Sequence, residues 1–247
     1  MTKPIALIDS KVMTELLGQT EQHLHYLSDT VAIHSDMLSD FLLLTKAAKK
    51  VGIELKIASG FRSFDRQLML WNNKFSGKTM IKDAHGNNVD KSSLSDEEIL
   101  HAILLFSALP GTSRHHWGCD IDVYASNLLA DDYQLQLESW EYSPQGPLAE
   151  LSDWLNKNAH KFGFYFPYAT YQGGIAAEPW HLSYAPIAQH YQTALCNNLN
   201  IDKLAHCLTN SQILGKETLL ANLHEIIKRY ILNVHPIPEN CYMPKLD

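Results

Sequence analysis

Three short segments carry side chains suited to hydrolytic chemistry. The first reads Ser113-Arg114-His115-His116-Trp117-Gly118-Cys119-Asp120-Ile121-Asp122 and sets imidazole and carboxylate groups close together. Those donors suit a borderline divalent ion such as zinc. Gly118 lets the backbone turn between His115 and Asp122, and Asp122 then projects from the polar face of a strand backed by Cys119, Ile121 and Val123. A ligand on a packed strand loses little entropy when metal binds. Alone, the stretch reads first as a surface turn with satisfied polar groups. The second segment, Glu178-Pro179-Trp180-His181, places a carboxylate three residues before a histidine. Catalytic zinc sites use three protein ligands and keep a fourth position for water, whose proton a nearby carboxylate takes. His115, Asp122 and His181 would supply the ligands and Glu178 the base. Residues three apart on a regular strand face opposite sides, so Glu178 and His181 converge only if Pro179 bends or interrupts the strand. The alternative is a buried Trp180–His181 pair with Glu178 on the surface. The third segment, Ser59 to Gln67, includes Arg62 and Arg66 at a strand-to-helix junction. A guanidinium there can meet a carboxylate or a developing oxyanion through paired hydrogen bonds, while one of the two arginines is simply solvated.

The surrounding pattern supplies the elements that must position these groups. Apolar residues at Met37, Phe41, Leu44, Ala48 and Val51 have helical spacing, with Ser35 or Asp36 as cap and Gly52 as stop. Ile53, Leu55 and Ile57 alternate with charged residues as in a half-buried strand. Phe64 to Asn73 reads as a helix, and Phe75 to Ser93 as a surface loop with a hairpin around His85-Gly86-Asn87-Asn88. Ser95 and Glu98 have capping-box spacing at the head of another helix. A strand over Cys119 to Tyr124, a helix from Pro147 to a stop at Gly163, and strand-like pieces at Phe164–Tyr168 and Trp180–Tyr184 follow. The first 36 residues show a weak helical pattern at Leu16, Leu17, Leu24 and Leu27, and an amphipathic helix is expected from about Glu217 to Leu232. Strands and helices mix without βαβ alternation, which predicts an α+β fold: a small antiparallel sheet packed with helices. The expected division is an N-terminal helical segment over 1–36, a catalytic domain over 37–186, and a helical C-terminal extension over 187–247 packed on it.

Composition narrows the partners. The 247 residues are 45% hydrophobic with a formal charge of −7, so the chain can bury a core and is poorly suited to a phosphate backbone. Nucleic acid is excluded as an expected partner. Cys119, Cys196, Cys207 and Cys241 form no C-x-x-C pair and are expected to be free thiols. The apolar run Ile5–Ile8 is too short for the core of an export signal, and Ile99–Leu109 is too short to span a bilayer. A cytoplasmic location is therefore the expectation, with a periplasmic or exported one as the alternative.

Taken in order, S-G-F-R-S-x-x-x-Q, L-P-G-x-S-x-H-x-x-G-x-x-x-D, W-L-x-x-N-A-x-x-F-G-F and E-P-W-H resemble the zinc D-alanyl-D-alanine carboxypeptidases of the VanY type. The resemblance runs from about Ile53 to Pro186. It implies one zinc ion per chain on His115, Asp122 and His181, with Glu178 as catalytic base. It assigns Arg62 to the scissile carbonyl or to holding substrate, with Gln67 and Ser113 assisting. It also separates His115 from His116, leaving His116 to line the site or face solvent. The implied substrates are peptidoglycan peptides ending in D-alanine. L,D-carboxypeptidase, dipeptidase and endopeptidase activities, or a non-catalytic zinc-binding module, are the alternatives. Two departures flank the expected cleft: Leu182-Ser183-Tyr184-Ala185-Pro186 lacks the arginine many relatives carry after E-P-W-H, and Phe166-Pro167-Tyr168 stands where relatives often have R-Y-P.

Overall fold

The structure is a computed structural model that describes residues 10–84, 86–196 and 198–244. The run Ile5–Ile8 and residue His85 lie outside the described residues. In chain order the regular elements are α1 (Ser10–Leu16), β1 (Leu24–Tyr26), β2 (Ala32–His34), α2 (Leu38–Lys49), β3 (Leu55–Ser59), α3 (Phe64–Ser76), α4 (Asp96–Leu104), β4 (Asp120–Ala125), α5 (Ala149–Asn158), β5 (Phe164–Tyr165), β6 (His181–Tyr184), α6 (Ala185–Leu195), α7 (Asn198–Asn210), α8 (Lys216–Ala221) and α9 (Leu223–Ile226). The fold is α+β. A four-stranded antiparallel sheet of order β3-β4-β6-β5 lies among the helices, and β1 and β2 form a separate hairpin. No helix among the described residues is long and apolar enough to cross a membrane.

Register is what matters for the site. Asp122 pairs with His181 and Asp120 with Ser183 across β4 and β6, while Ser59 of β3 pairs with Asp122 from the other side after a local shift. Directly paired residues project to one face of a sheet. Asp120, Asp122, His181 and Ser183 therefore share a face, and Cys119, Ile121 and Val123 pack fully buried in the core behind it.

Helix ends follow the expected chemistry in α3 and α4. Ser63 Oγ accepts from Arg66 N at the start of α3, and Ser95 and Glu98 form the reciprocal capping box of α4. The cap ahead of α2 differs from expectation. His34 Nδ1 accepts from Asp36 N and starts a 3-10 turn over Ser35–Met37, so neither Ser35 nor Asp36 supplies the cap.

Two further stretches differ. The leucine spacing near the N-terminus yields a helix only to Leu16, and Leu24 joins the hairpin. Gly18 ends α1 in the left-handed conformation, and a Cβ there would meet the His116 ring at 2.4 Å. The expected helix over 217–232 is broken into α8, α9 and a π turn at Ile227–Ile231. Asn222 interrupts it, its side chain donating to the Thr218 carbonyl, while Leu219, Leu223, Ile226 and Tyr230 still bury their apolar face. Of the strand-like aromatic pieces, only Phe164–Tyr165 and His181–Tyr184 pair into the sheet. All four cysteines are free.

Candidate metal centre and catalytic cleft

A 3-10 turn over Arg114–Trp117 delivers His115, and Gly118 closes it with φ 71° so that β4 begins two residues later. β4 delivers Asp122 opposite His181 at the first residue of β6. Glu178 lies just before that strand. The turn through Pro179 is closed by His181 N donating to the Glu178 carbonyl at 3.1 Å, so the strand is interrupted where convergence requires it. Glu178 Oε2 then sits 3.3 Å from His181 Nδ1.

Among the described residues, His115, Asp122 and His181 each offer a ligand atom, all within 4.8 Å of one another. Their second contacts fix which atoms face inward. His115 Nδ1 lies 2.9 Å from the Gly60 carbonyl and donates to it, leaving Nε2 3.3 Å from Asp122. His181 Nε2 lies 2.9 Å from Asp120 Oδ1 and donates there, leaving Nδ1 inward. A ligand histidine held through its other nitrogen is the usual outer arrangement of a metal site. Asp122 Oδ1 and His181 Nδ1 are buried 3.1 Å apart without an aligned hydrogen bond to any group, which is costly without a ligand between them. Burial alone would lower the His181 pKa, yet the hydrogen bond to Asp120 and the carboxylates of Asp122 and Glu178 beside the ring hold it well above the usual imidazole range. Burial would likewise raise Asp122, but His115 and His181 hold it well below the usual carboxylate range. The pocket favours positive charge, and these residues fit a divalent cation.

The outer contacts contain residues that motif reading did not assign. Asp120 accepts from His181, from Arg114 Nε at 2.7 Å and from Ser183 Oγ at 3.0 Å. Arg114 also donates to Ser183 Oγ and Tyr165 and stacks on Trp117. Ser183 thus offers its hydroxyl to the guanidinium of Arg114. Asp120→Asn is expected to lower zinc affinity about 10–100-fold with the fold intact, read by competition with a chromophoric chelator. Tyr168, buried, sets its ring edge-on to His181 at 4.9 Å. Asp120 could have been found from its two-residue spacing to Asp122 on one strand face, whereas Arg114 and Tyr168 carried no such signal.

Arg62 leaves the end of β3 just ahead of α3. Its Nη1 donates to Gln67 Oε1 at 2.9 Å and its Nη2 to Ser59 Oγ at 3.1 Å. Burial lowers its pKa, while Asp122 and Glu178 oppose that shift. Arg62, Ser113, His115, Asp122, Glu178 and His181 line one cleft of about 650 Å³. Gln67 reaches the cleft only through Arg62. It is buried behind Arg62, with its amide donating to the Ala108 carbonyl at 2.6 Å, so it holds Arg62 instead of facing substrate. His116 neither lines the cleft nor faces solvent. Its Nδ1 bonds the Arg62 carbonyl and its Nε2 accepts from Gly111 N, and burial pushes its pKa down to about 3. Arg66 stays exposed.

Fold and site together define a small antiparallel-sheet protein with a His–Asp–His group and a carboxylate at the base of a cleft. The chain belongs to the VanY D-alanyl-D-alanine carboxypeptidase family, whose pattern it matches over residues 30–187. It is 34% identical over 126 residues to an uncharacterized protein of Haemophilus influenzae, covering 50% of this chain and 93% of that one. It is 27% identical to a D-alanyl-D-alanine carboxypeptidase of Enterococcus faecalis, covering 65% of this chain and 53% of that one. Among solved structures it resembles VanYB in complex with D-Ala-D-Ala, with a TM-score of 0.51 and 23% identity over 71% of this chain and 86% of that one. Membership of this family implies a peptidase.

Proposed function

We propose that this chain is a zinc-dependent carboxypeptidase that removes the C-terminal residue from peptidoglycan peptides ending in D-alanine. The observation that carries this reading is the convergence of His115, Asp122 and His181 with Glu178, beside Arg62, in one cleft. His115 Nε2, Asp122 and His181 Nδ1 would hold one zinc ion per chain. Bound there, zinc supplies an acidified water and Lewis-acid stabilisation of the carbonyl oxygen. Glu178 accepts the proton of the attacking water and returns it to the departing amine. Arg62, steadied by Gln67 and Ser59, donates hydrogen bonds to the oxygen that gains charge. Ser113, which lines the cleft wall, would contact the substrate backbone.

The test is product analysis by mass spectrometry with defined muropeptides. Loss of one D-alanine from a pentapeptide, with the tetrapeptide untouched, supports the proposed cut. Trimming of the tetrapeptide would make the enzyme an L,D-carboxypeptidase, and release of a dipeptide or internal cleavage would reassign it accordingly. Zinc-loaded protein that cleaves none of them overturns the enzymatic reading in favour of a binding module.

A further inference from the structure

The cleft holds a second cation that the chemistry above does not use. Leu70 and Lys74 lie one turn apart on α3, and both line the cleft with Arg62 and Glu178. Lys74 is half-buried, and its Nζ donates to the neutral hydroxyl of Ser107. The other cations of the wall are engaged differently. Lys82 pairs with Glu138, Arg114 pairs with Asp120, and Arg62 is held by Gln67 and Ser59.

The helix under Lys74 is fixed. Trp71 Nε1 donates to the Leu214 carbonyl at 3.1 Å, and Lys91 Nζ bonds the Lys74 and Phe75 carbonyls at the helix end. A charged group on such a support is preorganised for recognition. Charge balance points the same way. Two histidines and one carboxylate around a divalent ion leave one positive charge, Glu178 offsets one, and Arg62 and Lys74 add two. The loaded cleft therefore carries excess positive charge that an anionic ligand would neutralise.

We propose that Lys74 is the receptor for the free α-carboxylate at the C-terminus of the substrate, and so the residue that restricts this site to chain ends. The inference rests on the proposed carboxypeptidase reading and deepens it. Arg62 then serves the scissile carbonyl, and Lys74 the carboxylate one residue beyond. Burial and the charge of Arg62 lower the basicity of the ammonium, an unfavourable setting that an incoming carboxylate relieves.

The experiment compares an acyl-D-alanyl-D-alanine peptide with its C-terminal carboxamide, using zinc-loaded wild type, Lys74→Met and Lys74→Arg. A charged hydrogen bond contributes about 1.5–3 kcal/mol, or roughly 10–100-fold. Wild type should prefer the acid by about that factor. Lys74→Met should raise KM for the acid by a similar factor with kcat little changed, and should abolish the preference. Lys74→Arg should restore part of it. An equal effect of Lys74→Met on acid and amide marks a merely structural role and overturns the proposal, as does a preference that survives the substitution. Calorimetric titration of both peptides separates the two readings. Wild type that cleaves neither peptide but binds the acid through Lys74 refutes the carboxypeptidase reading and keeps the receptor. Equal binding of acid and amide by wild type refutes the receptor whether or not either is cleaved.

Discussion

Glu178→Gln protein is expected to take up zinc like wild type and to lose about 10²–10⁴-fold in kcat. The substitution is nearly isosteric, and the backbone that positions residue 178 is held independently of its side chain. Glu178 N donates to the Tyr168 carbonyl at 2.9 Å, and the Glu178 carbonyl accepts from His181 N. The three ligand atoms belong to other residues, so metal content should not change. What the amide lacks is a site that can take a proton from water and hand it to the leaving amine. Single-turnover kinetics on a D-alanine-terminated peptide, run beside elemental analysis, checks both halves. Full activity in this variant sinks the base assignment. Loss of zinc along with activity would instead make Glu178 part of the ligand set.

His115→Ala should lose both zinc and turnover. Without that ring only Asp122 and His181 remain, and two ligands do not hold a catalytic zinc that normally has three. The readout need not be activity. A ligand that binds only the folded state stabilises it by about 2.7 kcal/mol at a hundred times its dissociation constant. Excess zinc should therefore raise the melting temperature of stripped wild type and leave His115→Ala unmoved. A zinc-dependent shift that persists in the variant would place the ion elsewhere. Because His115 Nδ1 also bonds the Gly60 carbonyl, zinc-free wild type is the proper reference for any loss of stability.

Much of this site is legible in the sequence, for a physical reason. The candidate ligands sit on short-range features that a sequence displays: Gly118 after a histidine pair, period-two alternation through Val123, and proline between Glu178 and His181. These local signals predict local geometry, and both the strand and its interruption stand where they pointed. The pairing of Asp122 with His181 is a long-range register that no local spacing displays; the donor chemistry of a three-ligand zinc site and the family resemblance were what brought the two together. The outer contacts were hidden for the same reason. Arg114 reads as one more base beside a histidine until β6 brings Ser183 and β5 brings Tyr165 to its guanidinium. Gln67 shows how far a motif reaches. Its place in a motif tied it to Arg62 and to substrate binding, and one turn of α3 sets it behind Arg62, where the Ala108 carbonyl takes its amide and its own carbonyl oxygen accepts from the guanidinium. At the chain's end, periodicity correctly marked an apolar face but could not show that Asn222 would break the helix carrying it.

The residues after 187 bear on a different question, that of what counts as one unit. The family match stops there, but the support for its cleft does not. Trp71 and Asn72 of α3 bond residues 212–214, Arg229 Nε donates to the Gly173 carbonyl, and His235 N donates to the Pro167 carbonyl beside Tyr168. A chain cut at the edge of the shared pattern would strip fully buried Trp71 of its partner and release both walls that carry Lys74 and Tyr168. Ancestry and mechanical integrity thus have different borders in this protein. The shared pattern occupies the narrower one, and the segments that brace its two walls are the loops and turn beyond it.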